Sequence, residues 1–284
     1  MRFYPLIFLF AAPGLATAPG SERAVLIVAG QSNALNWHAS AAQLSPDARD
    51  AAIPFYHDSG APPRGGVPGP GHAGSGGQWT TLGVQRQEPF GKYERDFFGP
   101  EISLARQLVR PPRPVAVIKI AYFGTTLADD WNPAATGDGA IYPWLRALVA
   151  AAMQQLRERG EAPHLGGFFW MQGETDGADA TRAAAYAANL VAFVARVRAD
   201  LAAPGLPFVL GRVGSPPPKG YEFQSVVRTA QVRVAESVPG AAWVDTDDLR
   251  RDTDGVHLLA PGVITLGQRM VEAWERLAAT HHSP

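Results

Sequence analysis

No cysteine occurs in the 284-residue chain. That absence excludes a disulfide framework, a thiolate zinc site, a cysteine nucleophile and an iron–sulfur cluster. Strong charge of either sign is also missing: Lys plus Arg is 25, Asp plus Glu is 26, and the net is −1. A dedicated nucleic-acid binder usually carries a basic surface, so no nucleic-acid partner is expected. Beyond the N-terminus no run is long and apolar enough to span a bilayer. What the chain does have is 46% hydrophobic residues, enough for a sizeable core. It also has 30 glycines and 25 prolines, which predict long loops.

Arg2 precedes an apolar run from Phe3 to Pro13, and Ala16-Thr17-Ala18 puts small residues where a signal peptidase reads. This pattern resembles a secretory signal over residues 1–18, cleaved after Ala18; the alternative is a buried N-terminal strand or helix. The expected product, residues 19–284, is secreted or periplasmic. No stable membrane insertion is expected after signal removal.

Five apolar runs follow: Ala24 to Ala29, Pro114 to Ala121, Leu165 to Met171, Phe208 to Val213 and Ala241 to Val244. Runs without period-two alternation suit parallel strands buried on both faces. Helical patterns lie between them. Pro100-Glu101 opens one, proline suiting a first helical position and the carboxylate the N-terminal dipole. Trp144 to Arg159 forms a second and stops at Gly160. Ala183, Tyr186, Leu190, Phe193, Val194 and Val197 make one stripe of a third. Gln224 to Val238 and a segment from about Pro261 complete the set. The alternation predicts one α/β domain with right-handed crossovers. Residues 60–77 interrupt it with eight glycines and four prolines. No regular element is expected there, and such a loop either lines a site or ornaments the surface.

In open parallel sheets, ligands bind beyond the carboxyl ends of the strands. The first run ends in Ala29-Gly30-Gln31-Ser32-Asn33. Gly30 permits a tight turn, and Ser32 would emerge at the mouth of the sheet as a nucleophile or as a helix cap. The G-x-S-x-G elbow is not met, because Ala34 stands where its second glycine belongs. The second run ends in Tyr122-Phe123-Gly124-Thr125-Thr126, whose glycine either admits a ligand close to the backbone or simply turns the chain. The third ends in Gln172-Gly173-Glu174-Thr175-Asp176. Gln172 can offer an amide donor. Glu174 and Asp176 could be acid and base, metal ligands or helix-start carboxylates.

Asp254-Gly255-Val256-His257 spaces a carboxylate and an imidazole so that a turn brings them together, the carboxylate fixing the tautomer and stabilising the cation. Of seven histidines, His257 is therefore the best base. His281 and His282 fall in the C-terminal tail. His57, His72 and His164 fall in expected loops without an obvious acidic partner, and His38 is expected to point away from Ser32 if a helix follows. Asp245, Asp247, Asp248, Asp252 and Asp254 invite a calcium reading. Their D-x-D-G fragment lacks the twelve-residue pattern and terminal Glu of an EF-hand, so no metal is expected.

Taken in order, G-Q-S-N, F-G-T-T, Q-G-E-T-D and D-G-V-H resemble the SGNH hydrolase superfamily. More narrowly they resemble its sialate O-acetylesterase-like group, including carbohydrate esterase family six. Phe98-Gly99-Pro100-Glu101 resembles a further segment of that group, and the similarity runs from about Ala24 to Leu277. The resemblance implies a three-layer α/β/α fold with a five-stranded parallel flavodoxin-like sheet. It implies Ser32 as nucleophile, His257 as general base and Asp254 as its orienting acid. It implies an oxyanion hole of Ser32 N–H, Gly124 N–H and, where the wider superfamily has asparagine, Gln172. Glu174 and Asp176, with Gln31 and Asn33, are then expected to support the site or its substrate rather than to react. The implied activity is removal of small acyl groups, acetyl above all, from O-acetylated carbohydrates through an acyl-enzyme, with no cofactor. Trp37, Trp79 and Trp131 fall near the motifs, where they would stack on sugar faces or pack internally. The alternatives are a broader short-chain carboxylesterase and a non-catalytic carbohydrate-binding protein on the same fold.

Overall fold

A computed structural model describes residues 21–65, 67–91, 96–109, 114–137 and 139–280. The expected signal, residues 1–18, lies outside the described residues, as do His281 and His282. Six main strands are β1 (Glu22–Gly30), β2 (Pro54–Gly60), β3 (Val115–Tyr122), β4 (Ala162–Met171), β5 (Phe208–Gly211) and β6 (Ala241–Val244). The helices are α1 (Ser32–Leu35), α2 (Glu101–Leu108), α3 (Ile141–Glu158), α4 (Ala180–Asp200), α5 (Gln224–Ser237) and α6 (Ala260–Thr280).

The strands lie in the order β6-β5-β4-β1-β3-β2, every pair parallel. β1 is central because it is apolar on both faces. Val25 and Ile27 enter the core shared with α3, α4 and α5, while Leu26 and Val28 enter the core shared with α2 and α6. Strand side chains alternate faces, so one continuous apolar run feeds two layers. On α4 the stripe Leu190, Phe193, Val194 and Val197 is fully buried. Each such side chain contributes about 1.5–3 kcal/mol of transfer free energy.

The sheet has one more parallel strand than the five expected. β2, with sequence P-F-Y-H-D-S-G, opens on proline and carries polar residues at its centre, so it is not a continuous apolar run. It forms the edge of the parallel set beside β3. Residues 60–77 are also more ordered than their composition suggests. Ala73 and Gly74 pair antiparallel with Ser59 and Asp58 of β2, and Ser59 Oγ donates to Ala73 O at 3.1 Å. Among the described residues, no helix is long and apolar enough to cross a membrane.

The chain crosses from one side of β1 to the other between β3 and β4. The switch point therefore lies at the carboxyl ends of β1, β3 and β4, where the sequence motifs sit.

Candidate active site

β1 ends at Gly30, whose φ is +142° and whose position leaves no room for a side chain: a Cβ would lie 2.0 Å from Met171 O. Only glycine can turn the chain there. Gln31 then ties β1 to the end of β4. Its N–H donates to Met171 O at 2.9 Å, and its Oε1 accepts from Gly173 N–H at 3.0 Å. Ser32 follows on α1 and is 9% exposed. Beneath α1, Lys119 Nζ donates to Leu35 O at 3.0 Å and pairs with Glu101 at 2.9 Å, both side chains fully buried. Glu101, whose carboxylate is expected to favour a helix start, is thus the counter-ion of a buried lysine that holds α1, the helix carrying Ser32.

Asn33 joins Ser32's segment to the histidine's. Its Oδ1 accepts from Leu258 N–H at 2.8 Å, and its Nδ2 donates to Val256 O at 3.1 Å. Those two residues flank His257. The same Nδ2 donates to Glu174 Oε1 at 2.7 Å. His257 Nδ1 meets Asp254 Oδ2 at 2.6 Å. Asp254 Oδ1 accepts the N–H groups of Val256 at 2.8 Å and His257 at 3.0 Å. Partial burial works to raise the Asp254 carboxyl. The bonds from the His257 ring and from the two backbone N–H groups outweigh it and hold the carboxyl below its ordinary range.

His38 departs from expectation. α1 is only four residues long and ends at Asn36 in the left-handed region, φ 66° and ψ 68°. That turn brings His38 back over the site instead of carrying it away along a helix. Its ring stacks on His257, with centroids 4.3 Å apart and planes 4° from parallel. Its Nδ1 meets Asp252 Oδ2 at 2.8 Å. Burial lowers its proton affinity, and the neighbouring His257 adds to that; Asp252 and Asp254 oppose both. The other histidines also differ from expectation. His57 lies in β2 and His164 in β4, and His72 Nε2 has an acidic partner in Asp58 at 3.4 Å.

Gln172 is placed in a supporting role. Its Nε2 donates to Thr125 O at 3.0 Å and to Asp176 Oδ2 at 2.6 Å. Its Oε1 accepts from Tyr186 Oη at 3.0 Å, and the residue is fully buried. Both amide hydrogens are committed, so Gln172 has none left for an oxyanion, and the expectation of a third donor is corrected. Asp176 accepts from Leu127 N–H at 2.9 Å and Ala128 N–H at 3.1 Å. Together Gln172 and Asp176 clamp the loop carrying Gly124, which is exposed, has φ +68° and would meet nothing within 4 Å of an added Cβ. Burial pushes both the Asp176 and Glu174 carboxyls up, against the donors that contact them.

The acidic stretch after β6 is shared among cations. Asp245 and Asp247 pair with Arg212, Asp247 also with Arg228, and Asp248 with Arg269. His38, Asp254 and His257 place possible ligand atoms within 4.8 Å of one another. The two rings are parallel, so their in-plane lone pairs do not converge, and each Nδ1 already faces a carboxylate. Trp37, Trp79 and Trp131 are all buried, consistent with internal packing.

Beside Gly124 lies a cavity of about 490 Å³ walled by Ala61, Pro62, Arg64, Val67, Pro68 and Phe123, among others. The Gly/Pro-rich segment therefore lines a cavity together with Phe123 and Gly124. Larger hollows, about 720 and 1030 Å³, lie between α5 and Arg212 and between α3 and the end of α4, away from these strand ends. Sequence reasoning missed His38, Asp252 and the buried pair of Lys119 with Glu101. A polar residue inside the apolar run of β3 was the one available signal for Lys119.

A central parallel sheet between helical layers, with these motifs at its switch point, defines an SGNH-type hydrolase fold. The chain belongs to the sialate O-acetylesterase-like family within it, a family of carbohydrate acetylesterases: residues 78–276 match the family described as carbohydrate esterase, sialic acid-specific acetylesterase. That span contains Gly124, Asp254 and His257 and begins after Ser32. A protein from Arabidopsis thaliana has 18% identity and a TM-score of 0.64, with 91% of this chain and 99% of that one covered. NanS has 15% identity and a TM-score of 0.65, covering 93% of this chain and 99% of its own. A carbohydrate acetylesterase from Xanthomonas citri has 18% identity and a TM-score of 0.58, covering 90% of this chain and 56% of its own. No curated protein sequence matches the chain.

Proposed function

We propose that this protein is a serine esterase that removes acetyl groups from O-acetylated carbohydrates. Ser32 is the nucleophile, His257 the general base and Asp254 the group that orients it. The observation that carries the reading is the clasp by Asn33. The residue next to Ser32 bonds on both sides of His257, whose ring already rests on Asp254 at 2.6 Å.

In the first half-reaction His257 takes the Ser32 proton as Oγ attacks the ester carbonyl carbon. Asp254 stabilises the imidazolium without itself being protonated. The carbonyl oxygen becomes an oxyanion facing the N–H groups of Ser32 and Gly124. Among the described residues neither N–H donates to a protein acceptor, which supports this assignment. His257 then returns the proton to the departing sugar oxygen, leaving acetyl-Ser32. Water repeats the sequence, attacking the acyl-enzyme and releasing acetate.

An acetyl group needs little of a 490 Å³ cavity, whereas volumes of about 300–1,000 Å³ are typical of sites for whole small ligands. The sugar leaving group occupies that space in this reading, against Phe123 and the prolines. Acetate release across acetylated xylan, acetylated sialic acid and acetylated peptidoglycan tests the substrate class. Ser32→Ala should abolish release while preserving the fold; retained activity would sink the assignment. A covalent serine probe separates the enzyme from a non-catalytic binder, and a p-nitrophenyl ester series separates an acetylesterase from a broader carboxylesterase. We also propose export through residues 1–18; N-terminal sequencing of the extracellular or periplasmic product should begin at Pro19.

A further inference from the structure

We infer that His38 is a positioning residue for the base: its ring is the π-platform against which the His257 imidazolium forms. This rests on the assignment of His257 as general base. The platform itself is drawn from the packing of the two histidines.

Two histidine–carboxylate pairs lie face to face. His38 meets Asp252 at 2.8 Å and His257 meets Asp254 at 2.6 Å. The rings between them are 4.3 Å apart at their centroids and 4° from parallel. Asp252 links the pairs a second time, its N–H donating to His257 O at 2.8 Å. His38 is thus fixed from behind by a carboxylate whose own backbone holds the histidine it covers. A ring bound at Nδ1 and covered on one face can neither flip nor tilt freely. Its remaining edge, bearing Nε2, keeps one direction.

The stack also acts on charge. In the proposed mechanism His257 gains a positive charge while it holds the Ser32 proton. A neutral aromatic face next to that cation attracts it, whereas a second cation at the same spacing would repel it. His38 therefore serves catalysis only while unprotonated. Its surroundings are divided on this point. Burial and then His257 oppose its protonation, Asp252 and Asp254 favour it, and the net effect lowers its proton affinity. Glu174, bonded to Asn33, interacts electrostatically with His257, Arg251 and Tyr221. Because the attraction exists only once His257 is charged, its loss falls on kcat and leaves KM nearly unchanged.

The experiment compares His38→Ala, His38→Phe and His38→Lys in the full chain with p-nitrophenyl acetate, recording melting temperature for each. His38→Ala should lose roughly 3- to 30-fold in kcat, the range of a cation–π contact, at constant KM. His38→Phe keeps a ring and should recover most of that loss. His38→Lys places a permanent cation beside the base and should fall below His38→Ala. An unchanged kcat in His38→Ala overturns the proposal. So does a folded His38→Phe no better than His38→Ala, or a His38→Lys as active as His38→Ala. Ser32→Ala measured alongside reads the proposed catalytic assignment separately. Activity surviving there overturns that assignment, whatever the His38 variants show.

Discussion

Asn33 donates to Glu174 at 2.7 Å, and both side chains are buried at the base of the site. Glu174 Oε2 has no hydrogen-bond partner among the described residues. Desolvation raises this carboxyl from its ordinary value of 4.5. Its ionised form therefore costs stability in the folded state. The folded protein is free of that cost below the unfolded value and incurs it as pH rises through the raised folded value. Glu174→Gln cannot ionise. Its melting temperature relative to the parent should rise between pH 4 and pH 8, by a few degrees. A difference that stays flat with pH would show that Glu174 binds protons equally in the folded and unfolded states and overturn the raised carboxyl.

Removing Asn33 should uncouple the segment of Ser32, the proposed nucleophile, from that of His257. Asn33→Ala loses the bonds to Leu258, Val256 and Glu174. It leaves buried partners unsatisfied, each at a cost of about 1–3 kcal/mol. A displacement of 1 Å in reacting groups can cost on the order of 10²-fold in rate. The expected variant is folded but destabilised, with kcat reduced about that much. Steady-state kinetics with a thermal melt check both halves.

Asp176 is expected to act on turnover through Gly124. Asp176→Ala frees Leu127 N–H, Ala128 N–H and one hydrogen of Gln172. If the Gly124 N–H then drifts, the loss should approach that of an oxyanion donor, about 10²–10³ in kcat. Gln172→Ala should do the same through Thr125 and should also lower the melting temperature. A Gln172 variant with normal stability but a lost oxyanion donor would restore the direct role that its hydrogen bonds now argue against.

The pair of Lys119 and Glu101 makes a prediction about stability. Breaking a buried ion pair from one side typically costs about 3–5 kcal/mol, while replacing both partners with apolar groups is often neutral. Lys119→Met alone should leave Glu101 uncompensated and unfold at lower urea. Adding Glu101→Leu should recover part of the loss. Activity need not recover, because Leu35 O would still lack the Lys119 donor.

Much of this was legible in the primary structure because parallel strands buried on both faces read as unbroken apolar runs. Five strands and five helices follow from that, and the motifs fall where those runs end. β2 escaped because Pro54, His57 and Asp58 break the apolar run, although Phe55 and Tyr56 are buried. His38 escaped for a different reason. Its position depends on Asn36 taking a left-handed conformation, and asparagine only permits that conformation without requiring it. Gln172 illustrates a limit of motif reading: the residue type can donate, but only its neighbours show that its hydrogens are already spent.

The bond from Leu258 to Asn33 spans 225 residues of sequence. Ser32 leaves the ribosome early and waits for a histidine that is made near the end of the chain. Contacts this distant in sequence are costly to close and form late. In the proposed mechanism activity therefore waits for the distal histidine: a chain stopped before residue 257 carries Ser32 with no His257 to activate it. Unfinished copies would stay chemically silent.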